Sequence, residues 1–389
     1  MKKQDNRTIN VSYIQQLIAQ GENTNIEFKS VNLRPEALAK EIVAFANASG
    51  GVILLGVEDN KEIRGIDREK NYEEWCMNIA RNNVNPPLQP VYSEAEIEQK
   101  IIGILEIPKG KDKPYQTHEG KFLIRVGSTN RMATVYELMR LFQQSGVFHF
   151  DSTAIENATV KQVNLQKISA YFEPYKLNFE LLSEEEKIML LKNTDILKED
   201  GQLSVAGLMI FGINPQKYLL NASVSFAHFA GNEITDELID KQNIEGTLDT
   251  QIDTTTAIIK NNIKRPSQII GNKRIEPDIY PDKVFRELIV NACCHRNYAI
   301  SGAKIRIFLY ENRLEVISPG RLPNTVTIEK LKAGVSFAVN PVIVKFMENL
   351  NYIDKLGRGL PMVYAEAQKR GRDVLFEEIG EEFKVTLSI

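Results

Sequence analysis

Three acidic residues near the start of the chain have types and positions that suit a cation site. Glu22 lies in the turn after a predicted helix, Glu27 lies on the strand that follows, and Asp59 comes just after the apolar run VILLGV. Open α/β sheets gather functional groups at the carboxyl ends of strands, which is where Asp59 is placed. Carboxylate oxygens are the ligands that Mg²⁺ and Mn²⁺ prefer, and such an ion can act on a phosphodiester. These three residues are therefore candidate metal ligands and candidate catalytic residues.

The same acids also have a simpler interpretation. Glu27 can pair with Lys29 or Lys40 at the surface, and Asp59 can do no more than open the turn EDNK. Side chains two residues apart on a strand point to the same face, so Lys29 can either neutralise Glu27 or share a bound phosphate with it. The residues alone leave both interpretations open.

A second group of candidates could grip a phosphate. The segment KFLIRVGSTNRMA places Arg125 on a predicted strand, with Ser128, Thr129 and Arg131 in or just after the following turn. Guanidinium groups bind phosphate oxygens in pairs, and a turn of small residues adds hydroxyls as further donors. With Lys29, these are the predicted nucleic-acid-binding residues. The alternative is a solvated turn beside an arginine that is paired with an acid.

Glu287 and Asn291, in the segment FRELIVNACCHRNY, form a third candidate group. A spacing of four residues puts both side chains on one face of a predicted helix. The carboxylate could activate a water, and the amide could hold Mg²⁺. Taken in isolation, the pair would be an exposed glutamate and a helix-end asparagine. His295, at the end of the same helix, is interpreted as a cationic cap, which the helix dipole favours.

The elements that must position these residues indicate a protein of the α/β (α+β) class. Apolar residues at helical spacing and short apolar runs bounded by turn residues define them. In the first third, helices are predicted at 8–20, 35–49 and 134–145, and strands at 26–29, 52–57, 88–93, 101–107 and 122–126. In the last third, a helix at 282–296 is followed by a hairpin in KIRIFLYENRLEVISPG, helices at 341–350 and 360–370, and a final strand, KVTLSI.

Three regions are predicted along the chain. Residues 1–146 form the first domain, 147–279 form a linker with a mixed α/β middle region, and 280–389 form the last domain. The linker is placed at 147–165, where the sequence is polar and weakly patterned. In the middle region, GLMIFG and ASVSFAHF predict strands, SEEEKIMLLKNTDIL and GTLDTQIDTTTAIIKNNI predict helices, and 265–280 is predicted to be a loop.

Composition limits the classes of function. The 389 residues are 43% hydrophobic and 25% charged, which is typical of a globular protein of two or three domains. A formal net charge of -3 argues against indiscriminate coating of nucleic acid, so any contact with DNA or RNA must be local. No apolar run approaches the roughly 18 residues that span a bilayer. A cytoplasmic location without a membrane partner is predicted.

Three segments of the first region, GENTNIEFKS, EIVAFANASGG and ILLGVEDNKEIRGI, resemble the Schlafen-type AlbA-like domain, from about Gly21 to Thr134. The resemblance implies a mixed sheet with helices that binds DNA or RNA. In the nuclease branch of that family, two glutamates five residues apart and a downstream aspartate cleave RNA. Their matches here are Glu22, Glu27 and Asp59, so the resemblance also implies an endoribonuclease that depends on Mg²⁺ or Mn²⁺.

The last region, from about 280 to 375, resembles the ATPase domain of the GHKL kind. The segments that carry the likeness are ELIVNACCHRNY, ENRLEVISPGRLP, SFAVNP and KLGRGL. The resemblance implies an α/β sandwich in which Glu287 is the general base and Asn291 a Mg²⁺ ligand. It also implies that three glycines line phosphate or lid loops, where backbone N–H groups can approach anions: Gly320, Gly357 and Gly359.

Two positions depart from the GHKL pattern. The aspartate that holds the adenine amino group is replaced by Ser318 or Ile317, and Val339 stands where arginine is common. The predicted nucleotide site is therefore degenerate, and the case for ATP as its ligand is weakened.

Three functions follow from these observations. The first is a nucleic-acid-binding regulator, of the kind known as bacterial transcriptional regulators, with the degenerate domain serving coupling and homodimer formation. The second is the metal-dependent endoribonuclease built on Glu22, Glu27 and Asp59. The third is ATP hydrolysis with Glu287 as the base.

Overall fold

The computed structural model divides the chain into two compact units after Ser145. Unit 1 is Met1–Ser145 and unit 2 is Gly146–Ile389. The structure describes residues 11–263, 268–270, 273–275, 280–323, 326–335, 337–354 and 357–389. Helices and strands are mixed in both units, which confirms the predicted α/β (α+β) class.

Unit 1 contains the helices and strands that the sequence predicts, together with one helix and three short strands that it does not predict. Its helices are α1 (Val11–Gln20), α2 (Pro35–Asn47), α3 (Tyr72–Asn82) and α4 (Val135–Gln144). Its strands are β1 (Ile26–Lys29), β2 (Gly51–Leu55), β3 (Val84–Asn85), β4 (Val91–Ile97), β5 (Lys100–Ile107), β6 (Gln116–Thr117), β7 (Leu123–Val126) and β8 (Thr129–Met132).

The main sheet of unit 1 is mixed and is covered on both faces. Its order is β1-β2-β5-β4, with β1 and β2 parallel and the other pairs antiparallel. Neighbouring residues of a strand face opposite sides, so Leu54 joins a core cluster with Ile14, whereas Ile53 joins the cluster under α2 that contains Phe45. Burial on both faces explains why the run VILLGV contains no polar residue.

The hairpin β7–β8 packs against α2 and is tied to it by one buried amide. The Asn47 side chain donates to the carbonyl oxygens of Tyr115, at 2.8 Å, and Leu123, at 2.9 Å, and accepts from the Tyr115 backbone N–H at 2.7 Å. These bonds satisfy backbone groups that would otherwise be buried unpaired. The start of β7 is thereby fixed beside the end of α2.

Unit 2 is built around a second, larger sheet. Its helices are α5 (Leu165–Phe172), α6 (Glu184–Asn193), α7 (Val205–Phe211), α8 (Leu248–Asn262), α9 (Asp282–His295), α10 (Ile328–Lys332), α11 (Pro341–Asn349) and α12 (Gly359–Gln368). Its strands are β9 (Ala154–Thr159), β10 (Gln202–Ser204), β11 (Val224–Phe229), β12 (Leu238–Ile244), β13 (Gln268–Ile270), β14 (Lys273–Ile275), β15 (Ile305–Leu309), β16 (Arg313–Pro319), β17 (Val374–Ile379) and β18 (Glu382–Ser388).

This sheet has the order β12-β11-β15-β16-β18-β17, with β11 and β15 parallel and the remaining pairs antiparallel. Helix α9 packs on β16, and its residues Phe285 and Ile289 are buried in the same core as Val316. The predicted hairpin at 305–319 is present. No helix in the described part of the chain is long and apolar enough to cross a membrane.

Two predictions for the middle region are wrong. GLMIFG forms helix α7 rather than a strand, because every residue from Val205 to Phe211 is buried and a fully apolar run carries no period that separates the two. The segment 147–165 is not a free linker, since it contains β9. Its Asp151 is also buried, and one carboxylate oxygen accepts the N–H groups of Val342 and Ile343 at 2.8 and 3.0 Å.

Two further boundaries differ. The strand predicted at 88–93 begins only at Val91, after Pro90, because proline has no N–H to donate to a neighbouring strand. Within the loop predicted at 265–280, β13 and β14 form a short antiparallel pair, and the rest of that prediction lies outside the described residues apart from Tyr280. Residues 8–10, the predicted start of the first helix, also lie outside them.

Candidate functional site

Arg125 on β7 is the centre of a buried polar network in unit 1. Its side chain is 0% exposed, and one terminal nitrogen lies 2.6 Å from Glu27 Oε2 on β1. The guanidinium also donates to the carbonyl oxygens of Asn23, at 3.0 and 2.7 Å, and Ile26, at 2.9 Å. Its carbon lies 4.4 Å from the centre of the Phe45 ring. Arg125 therefore joins β7 to β1 and to the turn before it.

The second oxygen of Glu27 is held by Lys29. The two side chains are hydrogen-bonded, and the Lys29 ammonium also lies 3.4 Å from Glu41 Oε1 on α2. Burial alone would lower the pKa of Lys29, but the hydrogen bond to Glu27 and the charge of Glu41 outweigh it and raise that pKa. Of the two roles open to Lys29 from the sequence, the structure places it as the partner that neutralises Glu27.

Glu41 closes the network from the helix side. Its Oε2 lies 3.5 Å from a terminal nitrogen of Arg125 and accepts a hydrogen bond from the Asn130 side chain on β8. Sequence reasoning missed both residues, since Glu41 resembles an ordinary exposed helix position. A signal was available, because Leu38, Ala44 and Phe45 lie three or four residues from Glu41 on the same helical face, and an acid buried among such residues requires a cation.

Glu22 and Asp59 are near Glu27 but do not complete a metal centre with it. Glu22 Oε1 accepts the N–H of Phe28 at 3.1 Å. Burial raises the pKa of Glu22, and the neighbouring charges of Glu27 and Asp59 add to the rise. Both oxygens of Glu27 are occupied by cationic side chains, so the set does not fit a Mg²⁺ or Mn²⁺ ion in this arrangement. Among the described residues, no group of three or more acidic, histidine or cysteine side chains could hold a metal ion.

The turn between β7 and β8 is the exposed part of this region. Gly127 has a φ of +62°, and a Cβ added there would meet nothing within 4 Å. Ser128 and Thr129, which follow it, are exposed. Arg131 is 46% exposed and binds both oxygens of Glu137, at 2.8 and 2.7 Å. The predicted phosphate contacts thus fall into two kinds: a buried Arg125 and an exposed tip.

In unit 2, the structure brings the predicted GHKL-type residues to one cavity. The Asn291 side chain donates to Glu287 Oε1 at 2.6 Å, one helical turn away on α9. A Cβ at Gly359 would clash with the same oxygen, so any other residue there would displace the Glu287 carboxylate. Gly320 and Gly357 line the same cavity. Burial raises the pKa of Glu287, which the hydrogen bond from Asn291 partly opposes.

The described side chains around this cavity do not fit a nucleoside triphosphate. Ser318, one of the two residues that stand in place of the adenine-contacting aspartate, donates its hydroxyl hydrogen to the Ala292 carbonyl at 2.9 Å. Arg321 is held 3.5 Å from Glu381, and its Nε donates to the Gly380 carbonyl at 2.5 Å. The cavity volume is about 180 Å³, below the roughly 300–1,000 Å³ of common ligand pockets.

The interpretation of His295 as a cationic cap is wrong. It lines the cavity, where burial lowers its pKa to about 4, so the ring is neutral at neutral pH. Arg296, next to it, is buried and donates to the carbonyl oxygens of Asn221, Ile300 and Ala303 at 3.2, 3.0 and 2.8 Å. Neither residue offers a free positive charge to a phosphate.

Two models of known protein families match this chain, one in each unit. Residues 22–134 match the family model described as "Schlafen, AlbA_2". Residues 302–387 match the model described as "Putative ATP-dependent DNA helicase recG C-terminal". The chain thus carries a Schlafen AlbA_2 domain and a RecG-type, ATPase-like C-terminal domain. The Schlafen-type resemblance is confirmed over residues 22–134, and the ATPase-like resemblance is confirmed over residues 302–387, a range that does not include Glu287 and Asn291.

Three solved structures are similar to this chain at low sequence identity. A search of curated proteins finds no match. A crystal structure of a Corynebacterium diphtheriae protein is 20% identical, covers 97% of this chain and 80% of its own, and has a TM-score of 0.48. The N-terminal domain of a putative ATP-dependent DNA helicase RecG-related protein from Nitrosomonas europaea is 21% identical over 32% of this chain and 92% of its own, with a TM-score of 0.24. A bacterial phosphotransferase, 12% identical, covers 57% of this chain and 88% of its own, with a TM-score of 0.20.

Removing the Arg125 guanidinium should destabilise unit 1. We expect Arg125→Met to lower its free energy of unfolding by about 3–5 kcal/mol, because Glu27 and Glu41 lose a buried cation. Trp75, the one tryptophan of the sequence, lies in unit 1, so its fluorescence during urea unfolding reports the change. Arg131→Met is the control and should cost less than about 1 kcal/mol, since that pair is exposed. Equal losses in both variants would contradict the central role of Arg125.

Protonation of His295 should destabilise unit 2 in acid. Its folded-state pKa of about 4 lies below the ordinary 6.5, so between these values the unfolded state binds more protons. Stability should therefore fall as the pH drops from about 6.5 towards 4, by up to about 3 kcal/mol. Denaturation followed by circular dichroism at several pH values should show a weaker dependence in His295→Gln. An unchanged pH dependence in that variant would refute the assignment, with His118→Gln in unit 1 as the control.

Proposed function

We propose that the protein is a nucleic-acid-binding regulator, acting in transcription, that binds DNA or RNA phosphates through unit 1. The observation that carries this proposal is the match of residues 22–134 to the Schlafen AlbA_2 family, which spans the whole Arg125 network and the β7–β8 hairpin. Because the net charge of the chain is -3, the contact must be a small local surface.

The exposed tip of the β7–β8 hairpin is the surface that fits this role. Its backbone N–H groups around Gly127, the hydroxyls of Ser128 and Thr129 and the guanidinium of Arg131 can each donate to phosphate oxygens. Arg125 would act beneath them as a positioning residue, because its hydrogen bonds to the turn before β1 hold β7 in place. Lys29 would act in the same way through its bond to the network.

Glu137 competes with a phosphate for Arg131, and this competition gives a sharp test. We expect Arg131→Ala to weaken binding about 3- to 10-fold and to reduce the slope of log K against log salt by about 1. Glu137→Gln should strengthen binding, since it removes the competing charge while its amide oxygen can still cap α4 at Thr134. Fluorescence anisotropy with labelled DNA and RNA duplexes and single strands, at several salt concentrations, measures both effects.

Arg64→Ala is the matched control, because Arg64 is also an exposed arginine of unit 1 that is paired with acids, Glu58 and Glu62. It should leave the affinity and the salt slope unchanged. Absence of salt-sensitive binding to all four nucleic acids would overturn the proposal. Opposite effects of Arg131→Ala and Glu137→Gln would support the hairpin tip as the contact.

A metal-dependent endoribonuclease is the second candidate. It is supported by the pKa of Glu22, which burial raises and to which the nearby charges of Glu27 and Asp59 add. Such an enzyme would have to release Glu27 from Lys29 and Arg125, so we expect a binding protein that does not cut structured RNA in the presence of Mn²⁺. Gel analysis of the products decides between the two.

Asp59→Asn is the informative variant for this experiment, because Asp59 is exposed and its loss should not disturb the fold. RNA cleavage that is lost in Asp59→Asn and retained in Asp67→Asn, an acid elsewhere in unit 1, would replace the binding proposal with the nuclease.

The regulatory part of the proposal rests on the combination of a binding domain with an ATPase-like domain in one chain. The residues around Glu287 and Ser318 depart from the ATPase pattern, so they suit a domain that couples binding events better than one that hydrolyses ATP. Homodimer formation through unit 2 and a cytoplasmic location stay predictions of the sequence.

A further inference from the structure

The cavity of unit 2 has the dimensions of a site for a small molecule. It lies between helices α9 and α12 and strands β16 and β18, and its volume is about 180 Å³. Apolar cavities of roughly 150 Å³ bind benzene. A ligand with a single ring therefore matches the space that the described residues enclose.

The walls of the cavity are mainly apolar. Side chains from both helices, from α10 and from the sheet contribute, including Leu288, Val316, Leu331, Val339, Leu360 and Phe383. Most of these residues belong to the buried cores of unit 2 or pack against them. Transfer of an apolar ring from water to such a surface is favourable, so the body of the ligand should be apolar.

The charges around the cavity are predominantly negative. Glu287, Glu348 and Asp354 line it, and among the described lining residues Arg321 is the one lysine or arginine. Arg321 is itself paired with an acid, and Asp354 is paired with Arg358. An anionic ligand would meet the Glu287 carboxylate in a partly dehydrated site, which is costly, whereas a cation would be stabilised there.

The polar groups deep in the cavity can accept hydrogen bonds. Ser318 uses its hydrogen on the Ala292 carbonyl and keeps lone pairs available. Glu287 receives one hydrogen bond from the Asn291 amide, and its carboxylate can accept more. A ligand that fits these groups must donate hydrogen bonds.

We propose that the cavity binds a small amine, with an apolar ring or branched chain as its body and an ammonium group directed at Glu287. The amine replaces the solvation that the buried carboxylate lacks, and its body fills the apolar space. The site thus selects a cation where an active ATPase domain selects a triphosphate. The proposal concerns unit 2 alone, so it stands or falls independently of nucleic-acid binding by unit 1.

Three probes of equal shape and different charge test this on the full chain. Benzylamine is cationic at neutral pH, benzyl alcohol is neutral and benzoate is anionic. We expect calorimetry and ligand-observed NMR to show benzylamine binding at least about tenfold more tightly than benzoate, with benzyl alcohol between them. Magnesium ATP should bind more weakly than benzylamine.

Two isosteric variants locate the site. Glu287→Gln keeps the size of the side chain and should weaken benzylamine about tenfold while changing benzyl alcohol less than about threefold. Glu311→Gln, at an exposed position in the turn between β15 and β16, should change neither. Circular dichroism confirms that each variant is folded.

Several results would overturn the proposal. These are a preference for benzoate or magnesium ATP over benzylamine, the same benzylamine affinity in Glu287→Gln, and no measurable binding of benzylamine. Ala338→Phe adds a check that does not depend on charge, because a ring at this lining position fills the cavity and should weaken benzylamine and benzyl alcohol alike. Unchanged binding of both probes in that variant would place them elsewhere.

Discussion

A fully buried guanidinium is the constraint on which unit 1 depends. An arginine cannot lose its proton inside a protein, so its charge has to be matched where it lies. Arg125 meets that requirement with Glu27 from β1, Glu41 from α2 and two backbone carbonyls, those of Asn23 and Ile26. One side chain therefore connects a sheet strand, a helix, a turn and the β7–β8 hairpin.

This network changes the meaning of the charged residues around it. Glu27, a candidate metal ligand, lies beside Lys29 and Arg125, two candidate phosphate-binding residues. These side chains neutralise one another instead of binding an external ion or phosphate. The donors left on the surface belong to the hairpin tip, whose position is fixed by the buried layer beneath it. A phosphate contact of unit 1 is therefore built from small exposed groups on a rigid, charge-balanced base.

Burial also sets the chemistry of unit 2, with a different outcome. Glu287 and Asn291 keep the spacing of an ATPase-like domain, and Gly359 permits α12 to start against the Glu287 carboxylate. The surroundings, however, neutralise His295, occupy the Arg296 guanidinium with backbone carbonyls and pair the arginine after Gly320 with an acid. The domain retains the frame of a nucleotide site without accessible positive charge among these side chains.

Periodicity and turn residues can be read directly from the sequence, and they were enough to predict the α/β class, most helices and strands of unit 1 and the hairpin β15–β16. They failed at α7, whose uniform burial hides the helical period, and at β9, whose residues are polar. The two domain families were predicted from the resemblance of short segments to known families. The roles of Glu27, Lys29 and Arg125 could be assigned only from the folded chain. Their partners Glu41 and Asn130 come from other elements, and the protonation and availability of a charged group depend on which neighbours the fold brings within about 4 Å.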